Sequence, residues 1–300
     1  MTIHCFASIL TPFGTAANNR GENEGNMTTL QKLLWKGQTH TTVSAESIRF
    51  AVRRQLETLD SQGCNRRWEE VTRDNQWADP TFKAWKEGAK QPSFADDDLL
   101  GFMSAEGAKE EGGKGSTTAR RAVLEVTRAV SLTPWTGDVT FNAASVGATP
   151  SAAKKGSNPV PYGAEVHATR YQYSVAMTPS RLREPERAAL ALTALCGLGP
   201  VAGNHARFLY DFSPDAVVFR ITEDPAPRVL YCFEADESAV SVPELLRRVA
   251  AGDILAQELI LGGSVVDQLN EEAKAVLAGA SLHPGIKAAC QEAIKRLKEA

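Results

Sequence analysis

Residues 3–10 alternate like a half-buried strand, residues 18–26 are too polar to bury, and residues 44–60 carry an apolar arc at helical spacing. No other stretch constrains the fold as much. A strand and a helix, each with one apolar face, must pack together and leave Asn18-Asn19-Arg20-Gly21-Glu22-Asn23-Glu24-Gly25-Asn26 in water. The helix start is marked by Ser44, a good N-cap, with Val43 before it placed to staple onto Ile48. Ile48, Val52, Leu56 and Leu59 fall in a narrow arc that would face a sheet, and Arg49 and Arg53 lie one turn apart at its solvent edge. A short helix is expected around 27–35.

Further along, the pattern predicts insertions into an α+β core. Residues 61–118 interleave Trp68, Trp77, Phe82, Trp85 and Phe94 with charge, Gly and Pro, as an inserted subdomain would. Strand periodicity resumes at 122–132. Two β-like runs, 136–145 and 165–177, flank a Gly-, Ala-, Pro- and Ser-rich stretch holding Lys154 and Lys155, the geometry of a hairpin with a basic tip. A buried helix is expected at about 185–198, stopped by Gly197 and Gly199-Pro200. Residues 206–212 and 216–222 read as a hairpin, 229–233 as another strand, and 236–300 as a C-terminal helical segment with helices near 245–251, 268–279 and 286–297. Without its insertions the order is strand, helix, strands, helix, strands. That order fits a ferredoxin-like, RRM-like antiparallel sheet with two helices on one face.

Composition narrows the class. At 300 residues and 43% hydrophobic the chain can bury a sizeable core, and no apolar run is long enough to span a bilayer, so a cytoplasmic protein without a membrane partner is expected. Its five cysteines are scattered, with no Cys-x-x-Cys, which points to reduced thiols rather than a disulfide framework or zinc site. The net charge of −3 conceals segregation. Arg49, Arg53, Arg54, Arg66 and Arg67 crowd one region and Arg120, Arg121 and Arg128 another, whereas acid collects at 96–98, 106–111 and in the last third. This allows a basic groove on an acidic body, as well as a merely solvated mixed surface.

Catalytic motifs are weak. Asp96-Asp97-Asp98 could hold a divalent cation, but adjacent carboxylates on one segment point apart. His4, His40, His167, His205 and His283 lack metal-ligand spacing, and there is no Gly-x-Ser-x-Gly elbow. Neither a catalytic residue nor a cofactor or metal is expected. Arg49 and Arg53, roughly 6 Å apart along a helix, could meet successive phosphates, or could pair with Glu46 and Glu57 as surface ion pairs. The Gly-rich loop around Gly203, Asn204, His205 and Arg207 could cradle a phosphate, or be a structural turn.

The first strand, the Asn/Arg/Gly/Glu loop, Thr39-His40-Thr41-Thr42-Val43-Ser44, the helix with Ile48-Arg49-Phe50, and Gly203-Asn204-His205-Ala206-Arg207-Phe208-Leu209-Tyr210-Asp211-Phe212-Ser213-Pro214 together resemble the DevR-type branch of the Cas-seven family. Over most of residues 1–222 the order and spacing of these blocks agree with that branch, which supplies the repeated backbone subunits of type I CRISPR effector complexes (Cascade). The resemblance implies a non-catalytic subunit that polymerises head-to-tail along CRISPR RNA, holds the guide by its backbone, meets target DNA through the guide, and contacts other Cascade subunits. It implies a palm within 1–235, fingers at 61–118 and a thumb-like hairpin at 136–175. Asn18, Asn19, Arg20, His40, Arg49, Arg53, Gly203, Asn204, His205 and Arg207 would then bind RNA, aided by Lys154 and Lys155. Two alternatives are a CRISPR RNA-processing endoribonuclease with His40 or His205 as general base, and a stand-alone regulatory RNA-binding protein.

Overall fold

The computed structural model describes residues 1–17, 23–106, 116–148, 150–154, 160–201, 209–235 and 239–300. The main sheet is built from β1 (His4–Leu10), β2 (Lys32–Trp35), β3 (Gln38–Val43), β4 (Ala129–Ser131), β5 (Tyr171–Met177), β6 (Ala216–Thr222), β7 (Leu259–Gly263) and β8 (Ser281–His283), with Glu125–Val126 as a ninth, short strand on β5. Its order is β8-β7-β6-β1-β5-β4-β3-β2. Every neighbour is antiparallel except the β7–β8 pair.

Period-two alternation in β1 divides the core. Cys5, Ala7 and Ile9 face α1 (Ala45–Leu59), α3 (Arg187–Cys196) and α4 (Ile286–Glu299), while Phe6 and Leu10 face the other way. The expected pair of helices on one face is therefore a trio, since α4 packs beside α3. On the opposite face, Val229, Phe233, Val240, Leu245 and Leu269 cover Phe6, Leu10, Val218 and Leu261. An open RNA-recognition sheet leaves that face to bases. Here the β1–β6–β7 part is closed by the protein itself.

α1 begins where Ser44 caps it, the Ser47 amide donating to Ser44 Oγ at 3.2 Å. Ile48, Val52 and Leu56 are buried as the arc requires, but Leu59, the last residue of the helix, is 43% exposed.

Several expectations are corrected. Residues 27–35 form no helix: Met27–Thr28 is a short strand, and β2 pairs with β3 around Lys36 and Gly37, both at positive φ (50° and 81°), the tight two-residue turn that twisted strands favour. The run 122–132 is interrupted, giving Glu125–Val126 and β4, with Thr127 still reaching the Ser174 carbonyl at 2.9 Å. Among the described residues, 209–212 is not a strand. There Tyr210 and Phe212 turn inward onto Tyr171, with Leu209 at φ 49°. Residues 229–233 are not a strand either; Arg228 and Tyr231 at φ 50° and 52° break the run, and Val229 and Phe233 serve as core plugs. The segment 236–300 is not purely helical. Its described part contributes β7 and β8, and β7 lies directly against β6.

The hairpin expected at 136–175 pairs Val139–Ala144 with Val160–Thr169 in the register Val139↔Glu165 to Ala144↔Val160. A short helix, Pro150–Ala153, and exposed Lys154 lie in the connection. Val160–Thr169 also pairs with Gly14–Ala17 and runs on through Arg170 into β5.

Candidate nucleic-acid interface

The inserted region 61–118 is fastened by α2 (Ala95–Leu100), whose three consecutive aspartates are all buried. Their carboxylates diverge, as expected for adjacent residues. Asp96 accepts from the Asn65 and Arg66 amides at 2.7 and 3.1 Å and from Arg53 Nε at 3.3 Å. Asp97 accepts from Asn65 Nδ2 at 3.0 Å. Asp98 takes Arg187 at 2.9 Å, Arg120, and the Arg183 amide at 3.0 Å. Burial, then the Asp96 charge, push the Asp97 carboxyl up to about 7. Asp96 and Asp98 thus hold the insertion to α1 and α3 and Asp97 braces it from within, and no group of three potential metal ligands occurs among the described residues.

Beside this hub lies an open cleft of about 510 Å³. Arg49, Phe102, Met103, Arg120, Arg121 and Glu125 line it, and a second cleft of about 320 Å³, lined by Trp85 and Arg181, shares Phe102, Arg120 and Arg121. The cleft exists because Gly101, at φ +68°, lets the chain turn sharply out of α2 against the strand Ser116–Arg120. A Cβ there would stand 2.3 Å from the Arg120 carbonyl.

The two arginine-rich regions, about 70 residues apart in sequence, are joined at this cleft. Arg49 donates to the Leu100 carbonyl and has no carboxylate partner in hydrogen-bond contact among the described residues. Burial, and then repulsion from Arg53, lower the pKa of its guanidinium, so this charge is under-compensated. Arg120 lies 4.3 Å over the Trp85 ring, and its buried Nε lacks an acceptor among the described residues. Arg121 is 77% exposed, with Glu125 at 2.8 Å. An anion entering this cleft would meet the Arg49 and Arg121 guanidinium groups that line it.

The other site residues expected from sequence are distributed differently. Arg53 is spent on Asp96, with only 13% of its side chain exposed. Its expected surface pairing with Glu57 goes instead to Arg54, at 3.3 Å. His40 is buried, its Nδ1 against the Ser131 carbonyl at 2.7 Å, so it bridges β3 and β4. His167 is also buried, between Thr41 (2.7 Å) and Thr133 (3.3 Å), and burial holds its pKa down to about 4. Lys154 is exposed on the hairpin connection. Asn18, Asn19, Arg20, Lys155, Gly203, Asn204, His205 and Arg207 lie outside the described residues. The Arg120-Arg121 charge is visible in the sequence, whereas its meeting with Arg49 is signalled there by nothing beyond Gly101 between two structured runs.

The family model described as CRISPR-associated negative auto-regulator DevR/Csa2 matches residues 12–193. The chain is 63% identical over 300 residues to a CRISPR-associated protein Cas7/Cst2/DevR from Myxococcus xanthus (strain DK1622), covering 99% of both proteins. Among solved structures it resembles a chain of a CRISPR RNA-guided surveillance complex, with TM-score 0.55 at 15% identity over 99% of both chains. A second, from such a complex in a pre-nicking state, gives TM-score 0.57 at 14% identity, covering 99% of this chain and all of the other. At those identities the likeness is one of fold.

Proposed function

This chain belongs to the DevR/Csa2 family of CRISPR-associated Cas7 proteins, and from that premise we propose that it is a non-catalytic, guide-RNA-binding backbone subunit of a type I Cascade. The observation that carries the RNA-binding reading is the convergence of Arg49, Arg120 and Arg121, with Phe102 and Trp85 beside them, in adjoining open clefts. Cations bind a phosphate backbone whatever its sequence, and aromatic faces accept any base. A subunit that must hold every spacer needs both and needs no base-edge code, because base pairing reads the sequence.

In this reading the β6-β1-β5-β4 strands, with α1 and α3, form a ferredoxin-like palm: fourth, first, third, second is the strand order of that arrangement. Residues 61–118 act as fingers and the 136–175 hairpin as a thumb that reaches a neighbouring copy. The Asn18, Asn19, Arg20 loop and the Gly203, Asn204, His205, Arg207 loop complete the guide groove. Copies join head-to-tail along CRISPR RNA in the cytoplasm, target DNA is met through the guide, and other Cascade subunits cap the filament. The endoribonuclease reading gains nothing from His40, whose ring is enclosed and tied to Ser131.

The test is to co-express the chain with a CRISPR array and its processing subunit and to analyse the purified particle. A protected RNA of defined length in a particle much larger than 32.3 kDa is expected. A monomer free of nucleic acid would overturn the proposal.

A further inference from the structure

The two clefts meet at one aromatic ring. Phe102 lines both, whereas Arg49 and Met103 belong only to the first and Arg181 and Trp85 only to the second. One face of the Phe102 ring is covered by Phe82, 3.8 Å away and 5° from parallel, and buried Phe82 is braced edge-on by Trp77 at 5.7 Å. Phe82 does this at φ 50°, a left-handed conformation that bulky side chains rarely adopt. Phe102 itself is only half-buried, so the surface that Phe82 leaves uncovered borders the clefts. Trp85 is already engaged: the Arg120 and Arg183 guanidinium groups lie 4.3 and 5.2 Å from its ring centre. Arg120 is committed as well, donating to Asp98 and, at 3.1 Å, to the Arg181 carbonyl. What remains for a ligand is a backed aromatic ring among cations: Arg49 in the first cleft, exposed Arg181 in the second, and Arg121 shared by both.

We infer that the paired clefts are a subsite for one unpaired nucleotide together with the phosphates on both its sides, and that Phe102, not Trp85, is the residue its base lies on. The inference rests on the RNA-binding reading above and names the piece of RNA that is held. A ring backed by a second ring offers stacking to a base of any identity. A base laid on Phe102 has parted from its own neighbour on that side, so the site takes a single strand rather than a paired helix. Its two phosphates then run to the two clefts, one to Arg49 and the other to Arg121 backed by Arg181. The Arg121 pairing with Glu125 at 2.8 Å is a solvent-exposed one, of the kind a phosphate can displace. Met103, 75% exposed in the first cleft, offers a polarisable thioether to the edge of the bound base. The smallest molecule with this chemistry is a nucleoside 3′,5′-bisphosphate, a base with a phosphate on either side of one ribose. A nucleoside monophosphate would reach the cations of one cleft and leave those of the other unused.

The experiment measures calorimetrically, on the full-length protein, the binding of adenosine 3′,5′-bisphosphate, adenosine 5′-monophosphate and inorganic tripolyphosphate, alongside filter binding of a uridine oligonucleotide. The bisphosphate is expected to bind more tightly than the monophosphate and to displace the oligonucleotide. Phe102→Leu, which keeps an apolar side chain on Phe82 but removes the ring, should weaken the bisphosphate and the oligonucleotide by roughly fivefold or more. Tripolyphosphate binding and the salt slope should stay as in the wild type, and Phe102→Tyr should restore both ligands. Arg181→Ala, at an exposed position, should narrow the gap between bisphosphate and monophosphate while the circular-dichroism spectrum is unchanged. If the oligonucleotide binds with a salt slope but the bisphosphate binds no better than the monophosphate, or Phe102→Leu costs nothing, the inference is overturned and RNA binding stands. Bisphosphate binding that depends on Phe102 in a protein that retains no oligonucleotide supports this subsite and overturns the RNA-binding reading. Binding of neither overturns both.

Discussion

Arg49 and Arg53 stand one turn apart on α1 and do different work. Arg53 is part of the packing, because its partner Asp96 is buried and also anchors two amides of the insertion. Arg49, held among the described residues by a carbonyl oxygen and lining the cleft with Arg120 and Arg121, keeps charge available to an anion. Replacing Arg49 and Arg121 together with Ala should therefore reduce the salt slope of single-stranded RNA binding by about 1.4, two contacts at roughly 0.7 each, while leaving the urea midpoint almost unchanged. Arg53→Ala should do the reverse, lowering stability by about 3 kcal/mol or more through the stranded carboxylate while keeping the slope. Filter binding across a salt series and urea titration separate the two. At Gly101, φ +68° and the 2.3 Å approach to the Arg120 carbonyl leave no room for a methyl group. Gly101→Ala should cost about 2–3 kcal/mol in equilibrium unfolding and weaken RNA binding by distorting the cleft rather than by removing charge.

Among the elements, α2 joins three parts of the chain through buried charge, and the pH response follows from it. Asp97 titrates near 7 when folded and at 3.8 as a free side chain, so the folded state binds the extra proton and this group's contribution is lost as pH rises from about 4 to about 7. His167 has the opposite sign. Held down to about 4 against an ordinary 6.5, it favours the folded state above pH 6.5 and loses that contribution as pH falls to about 4. The two slopes oppose each other over the shared range. Asp97→Asn, which mimics the protonated carboxyl, should raise stability at pH 7.5 by up to roughly 4 kcal/mol, match the wild type near pH 4, and reveal the His167 slope between. Urea midpoints at pH 4, 5.5 and 7.5 test this; equal midpoints at pH 7.5 would refute it.

The elements also divide by how far their causes lie apart in sequence. α1 was readable because its cap, its period and its apolar arc are local. β2 reads as helix from sequence because four residues, Lys32–Trp35, satisfy either period, and the left-handed pair Lys36 and Gly37 decides the matter. β7, Leu-Ile-Leu-Gly-Gly, is buried throughout and so has no alternation to read. Tyr210 and Phe212 carry a strand-like pattern, but ring contacts with Tyr171, edge-on for Tyr210 and stacked for Phe212, accompany their departure from the sheet. The arginine cleft was half legible: the charges were visible, whereas their meeting depends on where α2 and Gly101 send the chain.

For the whole molecule, one prediction concerns assembly. Replacing residues 145–159, the connection of the 136–175 hairpin, with a short Gly-Ser turn should leave the circular-dichroism spectrum and unfolding midpoint of the isolated protein unchanged, since the ladder from Val139 to Glu165 is kept. If the hairpin reaches a neighbouring copy, co-expression with a CRISPR array should then yield shorter or fewer particles on sizing, while each monomer binds short RNA as before.

The hairpin has a further property. Its inner strand, Val160–Thr169, continues through one residue into β5, which lies between β1 and β4 in the middle of the sheet. That one residue, Arg170, is clamped by Asp215 at 2.5 Å and by the Thr11 carbonyl at 3.1 Å, and Tyr210 holds the Thr169 carbonyl at 3.0 Å. Mechanically the hairpin is a lever with a locked fulcrum: a load on its far end is delivered as torque to the central strands and cannot be absorbed by a swivel at its base.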